Sequence, residues 1–344
     1  MHLAFLDLSP AERRLYFEQA AAHRGLHPAI LEKDFWVCWL LGVLFAHPKL
    51  REAVVFKGGT SLSKVHGAIQ RFSEDIDLSV SPAFLGIAED ELAGDASRGK
   101  HDRWMAHLQA ACVAKVQSDF LAALEQVAQA VLGQRPNGGA WLAYVLDETT
   151  KSPILLFHYP THQTPGFSYL VRSVKLEFGS LTDQQPVGQH PIRPWIADVF
   201  PEPFSDWQCR VVALDVERTF WEKATILHVE YHRDPSTSLP ERYSRHYADT
   251  AALARHPVAR QAIERGYLCD QVVAWKTRFF ARSWARYDLA RPGTFRFAPP
   301  RGRLKELEAD YVAMRPMYFD EPMSFADVVK TLQELEAAVN GAAT

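Results

Sequence analysis

Four cysteines in 344 residues, Cys38, Cys112, Cys209 and Cys269, are too few and too scattered for a disulfide framework. No Cys-x-x-Cys pair occurs among them, and the fourteen histidines show no zinc-ligand spacing, so a structural zinc site is not expected. A reducing cytoplasm is the compartment that suits this cysteine usage. Long hydrophobic runs are missing as well. The apolar stretch 35–46 is too short to cross a bilayer and reads as a buried helix. No basic leader with a cleavage site opens the chain, and no membrane partner is expected. A basic excess is also absent: 38 Lys and Arg against 41 Asp and Glu leave a net charge of −3, so contact with nucleic acid would have to come from local clusters. No internal repeat or low-complexity tract is evident.

What is present is concentrated in two short runs. Residues 53–56 are apolar and partly β-branched, which suits a strand. Lys57-Gly58-Gly59-Thr60-Ser61 then turns the chain into a helix over 60–69. Two glycines let the main chain approach a phosphate closely, and the start of a helix favours negative charge. The second run is Arg71-Phe72-Ser73-Glu74-Asp75-Ile76-Asp77. Asp75, Asp77 and Ser79 alternate with Ile76, Leu78 and Val80, so a strand would bury the apolar set and present both aspartates on one face. Such a pair can hold Mg²⁺.

Together the two runs resemble the first motif of DNA-polymerase-β-like nucleotidyltransferases. More closely, Lys57 to Lys64 and Arg71 to Leu78 are similar to the AbiEii/AbiGii toxin family, the nucleotidyltransferase components of bacterial abortive-infection (phage defence) and toxin–antitoxin pairs. The resemblance implies an α+β fold: a polymerase-β-like nucleotidyltransferase core with a mixed sheet, followed by a helical C-terminal domain. On that pattern residues 1–47 form an N-terminal helical segment. Residues 48–214 form the catalytic domain with a helical insertion at about 82–139, and residues 215–344 form the helical domain. Strands are expected over 141–146, 154–159, 169–178 and 209–214, with 186–203 as a proline-punctuated connection.

Period two on the 169–178 strand puts Lys175 and Glu177 on one face. The resemblance makes Glu177 the third carboxylate of a two-ion Mg²⁺ site, where the family carries an aspartate; the alternative is a cross-strand Lys–Glu pair. The run from Asp215 to Lys223 resembles the family's helix with an internal lysine. The helical wheel sets Lys223 in the apolar stripe with Phe220 and Leu227, where it needs an anion, either the triphosphate of an NTP or a protein acid. Arg245-His246-Tyr247-Ala248-Asp249 is similar to the family's last motif, and Arg245 and Asp249 are spaced for a helix salt bridge. Glu32-Lys33-Asp34, at the mouth of the apolar N-terminal helix, resembles a further family signature, with capping or clamping of the catalytic half, away from substrate, as its expected role.

The reading that follows is an Mg²⁺-dependent transfer of NMP from an NTP to an acceptor hydroxyl, by resemblance RNA and above all a tRNA 3′ end. Asp75, Asp77 and Glu177 would be catalytic and metal-binding; Lys57, Gly58, Gly59, Thr60, Ser61, Arg71, Ser73, Lys175, Lys223 and Asp249 would line the NTP site. Resemblance also implies a cognate antitoxin encoded nearby, with Thr60 or Ser61 as a place for an inhibitory phosphate. Between Lys276 and Lys305 nine basic residues face one acid, and Arg278, Arg282 and Arg286 would form one basic ridge if that segment starts as a helix. A solvated arginine face is the alternative. The rival functions are nucleotidylation of a protein or small molecule, and a catalytically idle nucleotide-binding partner module.

Overall fold

The computed structural model describes residues 3–87, 98–136, 138–161 and 170–341. The N-terminal segment forms α1 (Ala4–Asp7), α2 (Pro10–Arg24) and α3 (Pro28–Ala46). Ser9 and Glu12 close a reciprocal capping box on α2, and Gly25, at φ 66°, ends it in the left-handed conformation. Every residue of α3 from Ile30 to Phe45 is buried. A helix enclosed all round is a core helix, which is what the apolar run 35–46 implies.

β1 (Val54–Lys57), α4 (Gly58–Lys64) and β2 (Asp75–Val80) follow. The helix expected over 60–69 stops at Lys64, and Gly67 then turns the chain at φ 58°. The insertion is helical: α5 (Arg98–Lys115) and α6 (Leu121–Leu132) run on through a π-helical turn at Val116–Phe120. β3 (Leu142–Leu146), β4 (Pro153–Phe157) and β5 (Val174–Gly179) come next. β5 is the strand expected over 169–178, of which Tyr169 lies outside the described residues. The stretch 186–203 is more than a connection, since it carries β6 (Val187–Pro191) and α7 (Ile196–Val199) ahead of β7 (Arg210–Leu214). β6 ends on Pro191 at the edge of the sheet, where a missing N–H costs no ladder bond.

The seven strands form one mixed sheet in the order β3-β4-β5-β2-β1-β7-β6. β2 runs antiparallel to β1 and parallel to β5, while β1 is parallel to β7. The architecture is therefore α+β.

Two compact units result, Met1–Val65 with Phe72–Ala213, and His66–Arg71 with Leu214–Thr344. The second is helical: α8 (Val216–Tyr231), α9 (Ser244–Arg255), α10 (Val258–Glu264), α11 (Gly266–Phe279), α12 (Leu304–Ala313) and α13 (Phe325–Gly341). α11 ends at Phe279. Beyond it Arg282 is extended at φ −134°, ψ 135°, and Arg286 is left-handed at φ 47°. Arg278, Arg282 and Arg286 therefore do not form the helical ridge that their spacing suggested. The chain leaves the helix and folds back to bury Ala285, Ala290, Phe295 and Phe297, which a continued helix would carry away.

Candidate active site

The glycine turn and the aspartate strand come together because β1 and β2 are antiparallel neighbours, with Lys57 opposite Asp77. Gly58 opens α4 at φ +81°, and a Cβ on it would lie 2.0 Å from Oδ2 of Asp77. Glycine is required there twice over, for its backbone conformation and for the close approach of the carboxylate. Gly59 and Lys57 are half-buried beside it. The Thr60 hydroxyl donates to the carbonyl oxygen of Asp75, tying α4 to the start of β2. Ser61 is buried with its hydroxyl unpaired, and Ser73 sits half-buried in the link into β2. Thr60 and Ser61 are each 1% exposed, so neither hydroxyl stands open to a modifying enzyme.

β5 lies alongside β2 in parallel register, Asp75 with Lys175 and Asp77 with Glu177. Paired residues of parallel strands share a face, so two aspartates, Lys175 and Glu177 point the same way. Lys175 Nζ donates to Glu177 Oε2 at 2.6 Å, a Lys–Glu pair along one strand rather than the cross-strand pair that was the alternative. Burial opposes the Lys175 ammonium, but Glu177, Asp75 and Asp77 together raise its pKa. Asp75 is raised as well: burial first, then the neighbouring charge of Asp77, push its carboxyl up to about 6. Two carboxylates thus share one face of β2, and each disfavours ionisation of the other.

A hard cation suits that place. Mg²⁺ needs only one or two protein carboxylates and takes its other oxygens from phosphate and water. Among the described residues no three His, Cys, Asp or Glu side chains form a metal cage, and Glu177 is held by Lys175. The donors that fit are Asp75 and Asp77, with Glu177 next to Asp77.

In the second unit, Asp249 on α9 gathers two cations. Arg71 grips it with Nε and a terminal nitrogen at 2.7 and 2.8 Å, and Lys223 Nζ donates at 2.7 Å. The salt bridge expected from the Arg245 to Asp249 spacing is thus replaced by partners 178 and 26 residues distant. Burial would raise the Asp249 carboxyl, but Arg71 and Lys223 hold it well below the usual carboxylate range. Burial lowers the Lys223 ammonium, with Asp249 opposing. Lys223 therefore has the protein acid that its buried position demanded.

In the basic segment, Lys276 pairs with Glu222, Arg286 with Asp288, Arg296 with Glu336 and Arg303 with Glu306. Arg282, Arg291, Arg301 and Lys305 are exposed. Among the described residues, no helix is long and apolar enough to cross a membrane.

The glycine turn and the two aspartates meet on one mixed sheet, and the comparison with protein families shows which class of protein carries them. The model of the nucleotidyl transferase AbiEii toxin family, from type IV toxin–antitoxin systems, matches residues 39–338, and the chain belongs to that family. Two solved structures are similar. JHP933 from Helicobacter pylori aligns over 92% of this chain and 96% of its own at 14% identity, with a TM-score of 0.43. MenT4, the nucleotidyltransferase toxin Rv2826c from Mycobacterium tuberculosis H37Rv, aligns over 87% and 98% at 14% identity, with a TM-score of 0.36. No curated protein matches.

Proposed function

We propose that this nucleotidyltransferase transfers NMP from an NTP to a hydroxyl of RNA, a tRNA 3′ end first among candidates, and releases pyrophosphate. The acceptor oxygen bonds to the α-phosphorus, the bond from that phosphorus to the bridging oxygen breaks, and the acceptor proton leaves to a base or to water. The observation that carries this reading is the Asp75–Asp77 pair, held against the glycine turn at Gly58. Asp75 and Asp77, with Glu177 beside them, would hold Mg²⁺, which supplies charge neutralisation of the triphosphate and of the attacking and leaving oxygens. Lys57, Gly58, Gly59, Thr60, Ser61 and Ser73 would line the phosphate side, and Lys175 would face it from β5. Arg71, Lys223 and Asp249, which form the buried ion cluster of the second unit, would be further NTP-site residues by the family resemblance. In the cell, blocked tRNA ends would stop aminoacylation, and an antitoxin encoded nearby would counter that effect or modify the enzyme in the cytoplasm.

The test is direct: incubate the protein with total RNA, Mg²⁺ and each labelled NTP in turn, and identify the labelled polymer. Label on protein and none on RNA would move the acceptor to a protein side chain.

Two expectations accompany this. Glu177→Gln keeps the shape but removes the charge that completes the site, so kcat falls about 10- to 100-fold while NTP affinity holds. Glu177→Asp retains measurable transfer. If both variants turn over like wild type, Glu177 serves only Lys175. For the acceptor, replacing Arg282, Arg291 and Arg301 by glutamine should flatten the salt dependence of tRNA binding by about 0.7–0.9 in slope for each phosphate no longer neutralised. NTP binding stays the same. Equal slopes for variant and wild type would return the segment to a solvated arginine face.

A further inference from the structure

α3 is apolar for most of its length, yet Glu32, Lys33 and Asp34 in its second turn are all buried, at 2%, 1% and 1% exposure. Burying three charges costs several kcal/mol each before pairing, and apolar residues of similar size would give a core helix the same packing or better. Their partners show what the cost maintains. Lys33 Nζ donates to Glu74 Oε2 at 2.5 Å and to the carbonyl oxygen of Val171 at 2.9 Å. Glu74 immediately precedes Asp75 at the head of β2, and Val171 lies three residues before β5. One ammonium therefore pins the leading ends of the two parallel strands that carry Asp75, Asp77, Lys175 and Glu177.

Asp34 points elsewhere, since adjacent helical residues are about 100° apart. Its Oδ2 accepts from Lys64 Nζ at 3.1 Å and from the Trp195 N–H at 2.7 Å, and the same ammonium lies 2.8 Å from Oδ1 and 4.2 Å from the centre of the Trp195 ring. Lys64 is the last residue of α4, the helix that begins with Gly58. Glu32 accepts from the Thr161 hydroxyl at 2.7 Å, just beyond β4. Two consecutive side chains on one rigid helix thus reach the aspartate strand and the glycine-turn helix separately.

We propose that Lys33 and Asp34 are positioning residues of the transfer reaction: a two-pronged clamp that sets Asp75 and Asp77 against the Gly58 turn without touching substrate. The proposal rests on the reading of Asp75 and Asp77 as the metal pair. Its action is geometric. Loss of either prong lets one of the two elements shift against the other, and a displacement of about 1 Å at reacting groups can cost about 100-fold in rate.

The test compares Lys33→Met/Glu74→Gln, which neutralises the buried pair together, with Asp34→Asn and with Asp75→Asn. Each is assayed for thermal unfolding, for binding of labelled NTPs, and for pyrophosphate release from an equimolar mixture of the four NTPs with total RNA and Mg²⁺. Replacing a buried ion pair as a unit is often neutral for stability. The expected result is a folded double variant whose kcat is about 100-fold down with NTP affinity within about threefold of wild type, and a similar split for Asp34→Asn. Wild-type turnover in either folded variant, while Asp75→Asn is inactive, overturns the clamp and leaves the aspartate reading standing. Affinity falling in proportion to kcat overturns it too, as does failure of both clamp variants to fold, which would assign these residues to folding alone. Normal turnover in Asp75→Asn overturns the aspartate reading and the clamp's purpose with it.

Discussion

Asp75→Asn should lose roughly 10³-fold or more of the transfer rate and, in metal-free buffer, unfold at a higher temperature than wild type. The first effect follows from removing a carboxylate that, in the proposed function, would hold a cation supplying several kcal/mol of charge stabilisation. The second follows from the raised carboxyl. Burial and Asp77 move Asp75 from 3.8 to about 6. The native protein therefore binds this proton more tightly than the unfolded chain, and stability falls as pH rises through that window. At about 1.36 kcal/mol per pH unit the full cost is about 3 kcal/mol, and solvent at a half-buried carboxylate screens it to about 1–2 kcal/mol. Asparagine escapes the cost. The variant's advantage should be present at pH 7 and gone near pH 4, where the wild-type carboxyl is itself protonated. Added Mg²⁺ should stabilise wild type and leave Asp75→Asn unchanged. Urea unfolding at both pH values, with and without Mg²⁺, measures all three differences; near-normal pyrophosphate release from the variant would remove Asp75 from the metal pair.

A site held at the fold's expense would show that pattern, and the parts of this molecule that its sequence disclosed are those whose determinants are local. β1, the glycine turn and β2 were legible because their determinants are local: β-branched residues, a turn that only glycine makes, and a two-residue alternation of apolar and acidic side chains. The same alternation placed Lys175 and Glu177 on one face, but whether Glu177 faces a cation or Lys175 depends on packing that alternation does not encode. Side-chain pairing across long separations was not legible. Arg245 and Asp249 had the spacing of a helix pair, yet Asp249 turns inward to Arg71 and Lys223 because burial makes two converging cations worth more to it than one half-buried neighbour. Arg278, Arg282 and Arg286 had helical spacing too, and the need to bury Phe295 and Phe297 ended the helix before the second of them. The charged turn of α3 was visible only as a family signature, and the partners of Lys33 and Asp34 give its clamping role residues to act on.

Asp249→Ala should be the most destabilising single change in the helical unit, by about 3–5 kcal/mol, because it strands two buried cations at once. Arg71 and Lys223 are 5% and 7% exposed, and water cannot replace the three charge-assisted bonds that the carboxylate accepts. The pH dependence has a definite sign. Asp249 is held below its ordinary pKa, so its contribution is fully present above about pH 4 and is lost as the pH falls toward the folded-state value. Lys223→Met is the informative companion. It leaves the two hydrogen bonds between Arg71 and Asp249 intact and places a hydrophobic chain of similar length in the same pocket, so stability should change by no more than about 1.5 kcal/mol. If Lys223 also serves the triphosphate, this variant raises KM for NTP about tenfold or more while remaining folded, the pattern of a binding interaction removed. Unfolding curves and initial-rate kinetics on the two variants separate the roles: an unchanged KM in Lys223→Met, beside a severely destabilised Asp249→Ala, would make the cluster a structural lock and confine the nucleotide site to the glycine turn and the aspartate strand.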